Sequence, residues 1–212
     1  MFLNIKCIHF SNSFSLSFHM IDISDMNLYL VVLGGKIPKA NIELHDVRWV
    51  IGKKIEDTFD DLRKGWFGSI KGLHIDSYKK IYSVDGYKIK VKKSQNNKSK
   101  IKPNQKSKDN PKLWFLNLGG YDSNSMQEKH EFGLVVASTK SDAKKMAKSK
   151  WLNGLKKKHN DNIDCLQSFS DVDDCKLIKN INDLEILLIP EDDKVIETNH
   201  PDWFGYLRID NK

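Results

Sequence analysis

Apolar residues in this chain gather in continuous runs at two well-separated places. Asn27–Leu33 (NLYLVVL) is an almost unbroken apolar stretch, and Leu113–Leu118 (LWFLNL) is a second. Runs this short predict continuous apolar strands. A further strand is expected over Glu43–Ile51 (ELHDVRWVI) and another over Glu128–Ala137. Ile55, Phe59, Leu62 and Trp66 then recur at helical spacing, which puts them on one face. Gly65 and Gly68 end that helix. A second helix is expected over Ser141–Leu152, with Ala143, Ala147 and Trp151 inward and lysines outward. Thr139-x-x-Asp142 reads as its capping box. His74–Val84 reads as a strand turning at Asp85-Gly86, a strong hairpin signal, into Tyr87–Val91. Leu184–Ile189 (LEILLI) is one more strand. Gly34-Gly35 is expected to form a tight turn at positive φ. No helix opens after it, so a phosphate-cradling loop is disfavoured.

The two halves of this pattern are the same pattern. Sliding the chain by 85 positions aligns residues 28–76 with 113–161 without a gap, and 12 of the 49 positions are identical. Leu33-Gly34-Gly35 meets Leu118-Gly119-Gly120, Glu43 meets Glu128, and His45 meets His130. Trp66 meets Trp151, His74 meets His159, and Asp76 meets Asp161. After a short insertion, Val84-Asp85-Gly86 is expected to face Val172-Asp173-Asp174, which would set Cys175 in the place of Tyr87. The reading is a duplicated β-β-α-β-β unit of the α+β class, one helix on a sheet, with a β-grasp-like roll as one topology that would suit. Units this small are marginal alone, so they are expected to pack together with pseudo-twofold symmetry.

The expected organisation is an extension over 1–25, a first repeat over 26–92, and a lysine-rich linker over 93–112. A second repeat follows over 113–190, and then a C-terminal tail over 191–212. Residues 1–25 match neither copy and are read as a disordered tail or as a start assigned upstream of Met26. The tail carries Pro201-Asp202-Trp203-Phe204-Gly205-Tyr206, whose aromatics are expected to dock on the body.

Charge changes this picture little. The chain has a formal net charge of +7, but ten lysines and a single acid between Lys88 and Lys112 supply most of it. A second basic block spans Lys140–Lys158. Lysine stretches could bind nucleic acid through counterion release. Only three arginines are present, Arg48, Arg63 and Arg208, and arginine is the usual base-reading side chain. Solvated lysine is therefore preferred, with weak nucleic-acid binding as a lesser alternative. No apolar run approaches the roughly 20 residues of a membrane-spanning helix. Three cysteines (Cys7, Cys165, Cys175) exclude a four-cysteine zinc site and a disulfide scaffold; they are read as reduced thiols of a cytoplasmic protein.

The segments LYLVVLGGKIPKANIELHDVRWVIG, WFGSIKGLHIDSY and VDGY, standing in that order, resemble the DUF1543 domain, a family of unknown function. The resemblance runs from Met26 to about Pro190 and is looser in the second copy. It implies one or two copies per chain and brings no activity, cofactor or catalytic residue.

Chemistry is therefore sought in the residues. In Glu43-x-His45 both side chains leave one strand face, as do those of His74-x-Asp76. If the strands are neighbours, two imidazoles and two carboxylates converge. Glu128, His130, His159 and Asp161 offer the same set in the second copy. Such a set suits Zn²⁺, Mn²⁺ or Fe²⁺ with a water in an open position. It equally suits general acid–base work, or hydrogen-bonded pairs that only fix strand register. The sequence itself requires no cofactor. The first functional reading is a small soluble binding or interaction protein, its partner a small molecule or a protein. The alternative is a small-molecule enzyme, with or without assistance from a metal, using the histidines.

Overall fold

A computed structural model describes residues 25–94, 110–120, 125–156, 171–192 and 200–211. The expected extension, most of the linker, and His159, Asp161 and Cys165 lie outside these residues. Among the described residues the architecture is α+β, with antiparallel sheets and two α-helices.

The first sheet has the order β11-β3-β1-β2. It comprises β1 (Asn27–Gly35), β2 (Leu44–Gly52), β3 (His74–Ile81) and β11 (Trp203–Arg208). Between β2 and β3 lie a 3-10 turn, Ile55–Thr58, and α1 (Phe59–Gly65). The expected single helix is thus broken near Thr58, whose hydroxyl donates to the Ile55 carbonyl at 2.7 Å. The apolar face survives the break: Ile55, Leu62 and Trp66 are buried against Tyr29, Val31 and Leu33. The other face of β1 carries Leu28, also buried. Cover on both sides is why this strand reads as an unbroken apolar run.

A second sheet, in the order β7-β6-β8, comprises β6 (Lys112–Gly120), β7 (Lys129–Ala137) and β8 (Asp171–Ile178). Its outer face carries α2 (Lys140–Lys156), seated by buried Ala143 and Ala147. The expected cap forms: Asp142 N–H donates to the Thr139 hydroxyl at 3.1 Å, and that hydroxyl donates to the Asp142 carboxylate at 2.6 Å. The inner faces of the two sheets share a core in which Leu28, Ile51 and Ile81 meet Leu113, Phe115 and Val136.

Two hairpins join this core from the side. They are β4 (Ser83–Val84) with β5 (Tyr87–Lys93), and β9 (Asn180–Ile181) with β10 (Leu184–Pro190). They form one sheet, β4-β5-β10-β9. The β5–β10 ladder runs from Tyr87 against Pro190 to Lys93 against Leu184, centred on Lys90 against Leu187.

Three expectations are corrected. A β-grasp roll has a parallel central pair, whereas β1 runs antiparallel to both neighbours. Gly34 and Gly35 form no turn: they close β1, and neither lies at positive φ. Side chains lie over them instead. A Cβ on Gly35 would sit 2.9 Å from the Trp66 ring, and one on Gly34 2.5 Å from His74 Nε2. The third correction concerns the repeat. β1 and β6, and β2 and β7, match at the 85-residue offset. The strand beside β6 begins at Asp171, however, which faces Gly119 as His74 faces Gly34. Both ladders carry a register shift one pair further along. From this strand onward the offset is 97. The counterpart of Asp85-Gly86 is therefore Asn182-Asp183, not Asp173-Asp174, and Cys175 matches Tyr78 rather than Tyr87.

Candidate functional site

The four residues expected to converge in the first half come together, although β2 and β3 are not the neighbouring strands that this was expected to require: β1 lies between them. Register places them: Gly34 of β1 faces His45 of β2 on one side and His74 of β3 on the other. Three residues abreast in an antiparallel sheet point the same way. The central one is glycine, so both imidazoles have room over the strand. Asp76 stands at the register shift of β3 and its carboxylate reaches back between them. His45 Nε2 lies 3.2 Å from Asp76 Oδ2, and His74 Nε2 lies 3.1 Å from Asp76 Oδ1. Glu43, just before β2, is further off, at 3.8 Å from His45 Nε2 and 3.9 Å from His74 Nε2. It acts through charge, not through a hydrogen bond.

The two histidines differ in access. His74 is 1% exposed, under the Tyr206 ring at 4.1 Å between centroids. The His45 side chain is 53% exposed. His74 Nδ1 lies 2.9 Å from the Gly72 carbonyl. A carbonyl only accepts, so the Nδ1 proton goes there. The site is thus a buried imidazole and an exposed one, joined by a shared carboxylate.

A brace from the C-terminal segment sets the His74 ring. Gly72, at φ +83, donates its N–H to Asp210 Oδ2 at 2.8 Å. Arg208 donates to the same carboxylate at 2.6 Å. The Arg208 guanidinium and the Gly72 N–H hold the Asp210 carboxyl at about 2, below the usual carboxylate range. Arg63 donates to the Ile209 carbonyl at 2.8 Å, tying this segment to α1. Tyr206, expected to dock on the body, does so on His74, whereas Gly72 and Asp210 escaped the sequence reading. One signal existed: Gly205 inside an aromatic run marks a bulge. It sits at φ +152 where β11 shifts register on β3.

In the second half the described residues show only part of the corresponding set. His130 takes the place of His45, with its Nε2 3.7 Å from Glu128 and its Nδ1 3.3 Å from Asn117 Nδ2. Asp171 and Asp173, not His159 and Asp161, hold the register positions of His74 and Asp76. Among the described residues no group of three or more His, Cys, Asp or Glu side chains is placed to hold a metal ion, and no helix is long and apolar enough to cross a membrane. The Cys175 thiol is partly buried, and burial pushes its pKa up, which suits packing over nucleophilic reactivity.

Comparison with known proteins bears on this arrangement. No curated protein matches the chain. The crystal structure of a protein Il1583 from Idiomarina loihiensis is similar, at 29% identity and a TM-score of 0.62, over 87% of this chain and 98% of that one. The family model for DUF1543, a domain of unknown function, matches residues 40–91 and 125–184, more than half of the sequence. The chain belongs to the DUF1543 family and carries two tandem matches to it.

Proposed function

We propose that this DUF1543 protein is a binding protein whose ligand is a small molecule held over Gly34 by His45, Asp76 and Glu43. The supporting observation is the carboxylate shared by a buried and an exposed imidazole. His74 and its brace orient Asp76, leaving His45 and Glu43 to meet the ligand. The outward groups are two carboxylates and one imidazole, acceptors for the most part. Ligands presenting hydroxyl or amine donors therefore suit them best. In the same reading the chain is two β-β-α-β-β units, over 26–92 and 113–190, joined through 93–112 and related by a pseudo-twofold axis. The β5–β10 ladder favours this: its pairs interchange under the 97-residue match, about Lys90 and Leu187. β11, from the 191–212 tail, joins only the first unit's sheet and completes only its site.

Histidine-ring NMR tests the reading. Titration with a panel of polyols, amines and carboxylic acids should move the His45 and His74 signals with polyols or amines, and not in Asp76→Asn. Silence across the panel would sink it. An enzyme reading has one observation in its favour, an exposed imidazole oriented by a carboxylate, as a general base requires. Turnover of a bound polyol or amine, lost in His45→Gln with binding kept, would establish it. Zn²⁺ or Mn²⁺ added to the same samples tests the metal alternative. Ion binding through His45, His74 and Asp76, with no response to the organic panel, would replace the small-molecule reading.

A further inference from the structure

The core between the two sheets is filled unequally on either side of the β5–β10 ladder. Leu30 and Trp49 are cross-strand partners in the first sheet. Their 85-residue counterparts, Phe115 and Leu134, are partners in the second. Across the gap Trp49 meets Phe115, with ring centroids 4.9 Å apart. The matching pair across the other part of the gap is Leu134 and Leu30. Two leucines reach less far than an indole and a phenyl ring, and both leucines line a cavity of about 530 Å³. That volume falls within the range of about 300–1,000 Å³ typical of small-molecule sites.

We propose that this cavity binds a flat, uncharged aromatic molecule of about two fused rings. The chain supplies the template: an indole and a phenyl ring occupy the counterpart position. The walls suit the same chemistry. Leu30, Ile81, Phe132 and Leu134 give an apolar slot, and aromatic faces pack well against such surfaces. Of the charged side chains lining it, Lys79, Lys80 and Asp202 have partners; Glu131 lines it too, its pKa raised by burial. Lys79 Nζ donates to the His200 carbonyl at 2.9 Å, the Lys80 ammonium lies 4.8 Å from the Tyr82 ring centroid, and the Asp202 carboxylate accepts the Lys80 backbone N–H at 2.7 Å. A charged ligand would meet both signs there, Lys79 and Lys80 against Glu131 and Asp202. This site is separate from the His45–Asp76–His74 cluster and does not depend on it.

The neutral fluorophore N-phenyl-1-naphthylamine is the probe. The full chain should enhance its fluorescence saturably at one probe per molecule. The double variant L30F/L134W, which copies the counterpart residues into the cavity, should bind it about tenfold more weakly or worse, since the slot is filled. Asp76→Asn should leave probe binding unchanged. No saturable binding, equal binding by the filled variant, or loss in Asp76→Asn would each overturn the assignment. Intermolecular NOEs from the probe to Leu134 and Ile81 methyls in the unaltered chain give a check that needs no variant. Their absence from the saturated complex would overturn it as well.

Discussion

The same strand end is built twice in this molecule, and among the described residues a linked pair of imidazoles stands at the first of the two. At Gly34 the flanking residues are His45 and His74; at Gly119 they are His130 and Asp171. The backbone frame is shared down to the register shift beside each glycine. The difference lies in which residues the third strand sets at these register positions, and in a fourth strand, β11, that lies along β3. Strand pairing thus brings side chains together at a strand end, while a neighbouring segment covers and steadies one of them. Here that segment is the C-terminal one, which covers His74 with Tyr206 and steadies Gly72 with Asp210.

The strongest way to break the first site without touching its polar groups is Gly34→Ala. The new Cβ would stand 2.5 Å from His74 Nε2, 2.9 Å from Cε1 and 3.0 Å from Asp76 Oδ2. Either the ring or the carboxylate must leave. Crowding a packed site costs about 1–3 kcal/mol, and stranding a buried polar group adds a similar amount. A loss of about 3 kcal/mol in urea unfolding is expected, with His45 and His74 NMR signals shifted and those of His130 unmoved. A stable variant with unchanged His74 signals would show that the glycine is not what admits the cluster.

Much of this was legible in the residues, for identifiable reasons. The run NLYLVVL and its counterpart LWFLNL read as continuous apolar strands because burial on both faces removes the polar alternation. Glu43-x-His45 and His74-x-Asp76 could be brought together because strand side chains repeat every two residues. The second copy misled at His159 and Asp161: identity persisted at the 85-residue offset while the strand had moved to Asp171. An insertion between helix and strand is invisible to a gapless match. Gly34-Gly35 misled because glycine has two uses, positive φ and close approach, and only the packed Trp66 and His74 rings distinguish them. The brace at Asp210 could not be read at all. It joins residues more than a hundred positions apart through single hydrogen bonds, which leave no periodic trace.

A smaller effect is expected where the hairpin turns cross to the opposite half. Asp85 and Asn182 occupy matching positions at φ 53 and 54, a conformation that Asp and Asn tolerate better than other side chains. Asp85 accepts the Val136 N–H at 2.8 Å and pairs with Lys150. Asn182 donates to Asp61 at 2.9 Å on an exposed surface. Asp85→Ala should cost about 2 kcal/mol, since it strands a partly buried N–H as well as straining the turn. Asn182→Ala should cost about 1 kcal/mol, mostly from the turn. Parallel urea titrations check the order. Equal losses would mean that backbone strain alone matters and that the contacts across the halves add nothing.

The smallest effect expected is on acid stability, and it isolates the brace. Asp210 titrates at about 2 in the folded chain, against 3.8 for the ordinary group, because Arg208 and the Gly72 N–H both favour its charged form. A carboxylate with a depressed pKa adds stability that is complete above the unfolded value and is lost as pH falls toward the folded one. Between about pH 4 and pH 2 the native chain should therefore lose stability more steeply than Asp210→Asn does, while the two curves run parallel above pH 5. His74 should respond in step: in Asp210→Asn the Gly72 carbonyl is less firmly held, and the ring signal should broaden even at neutral pH. If Asp210→Asn follows the native acid curve, then Arg208 and Gly72 do not hold this carboxylate in solution. Burial beneath Tyr206 would then be left as what sets the His74 ring.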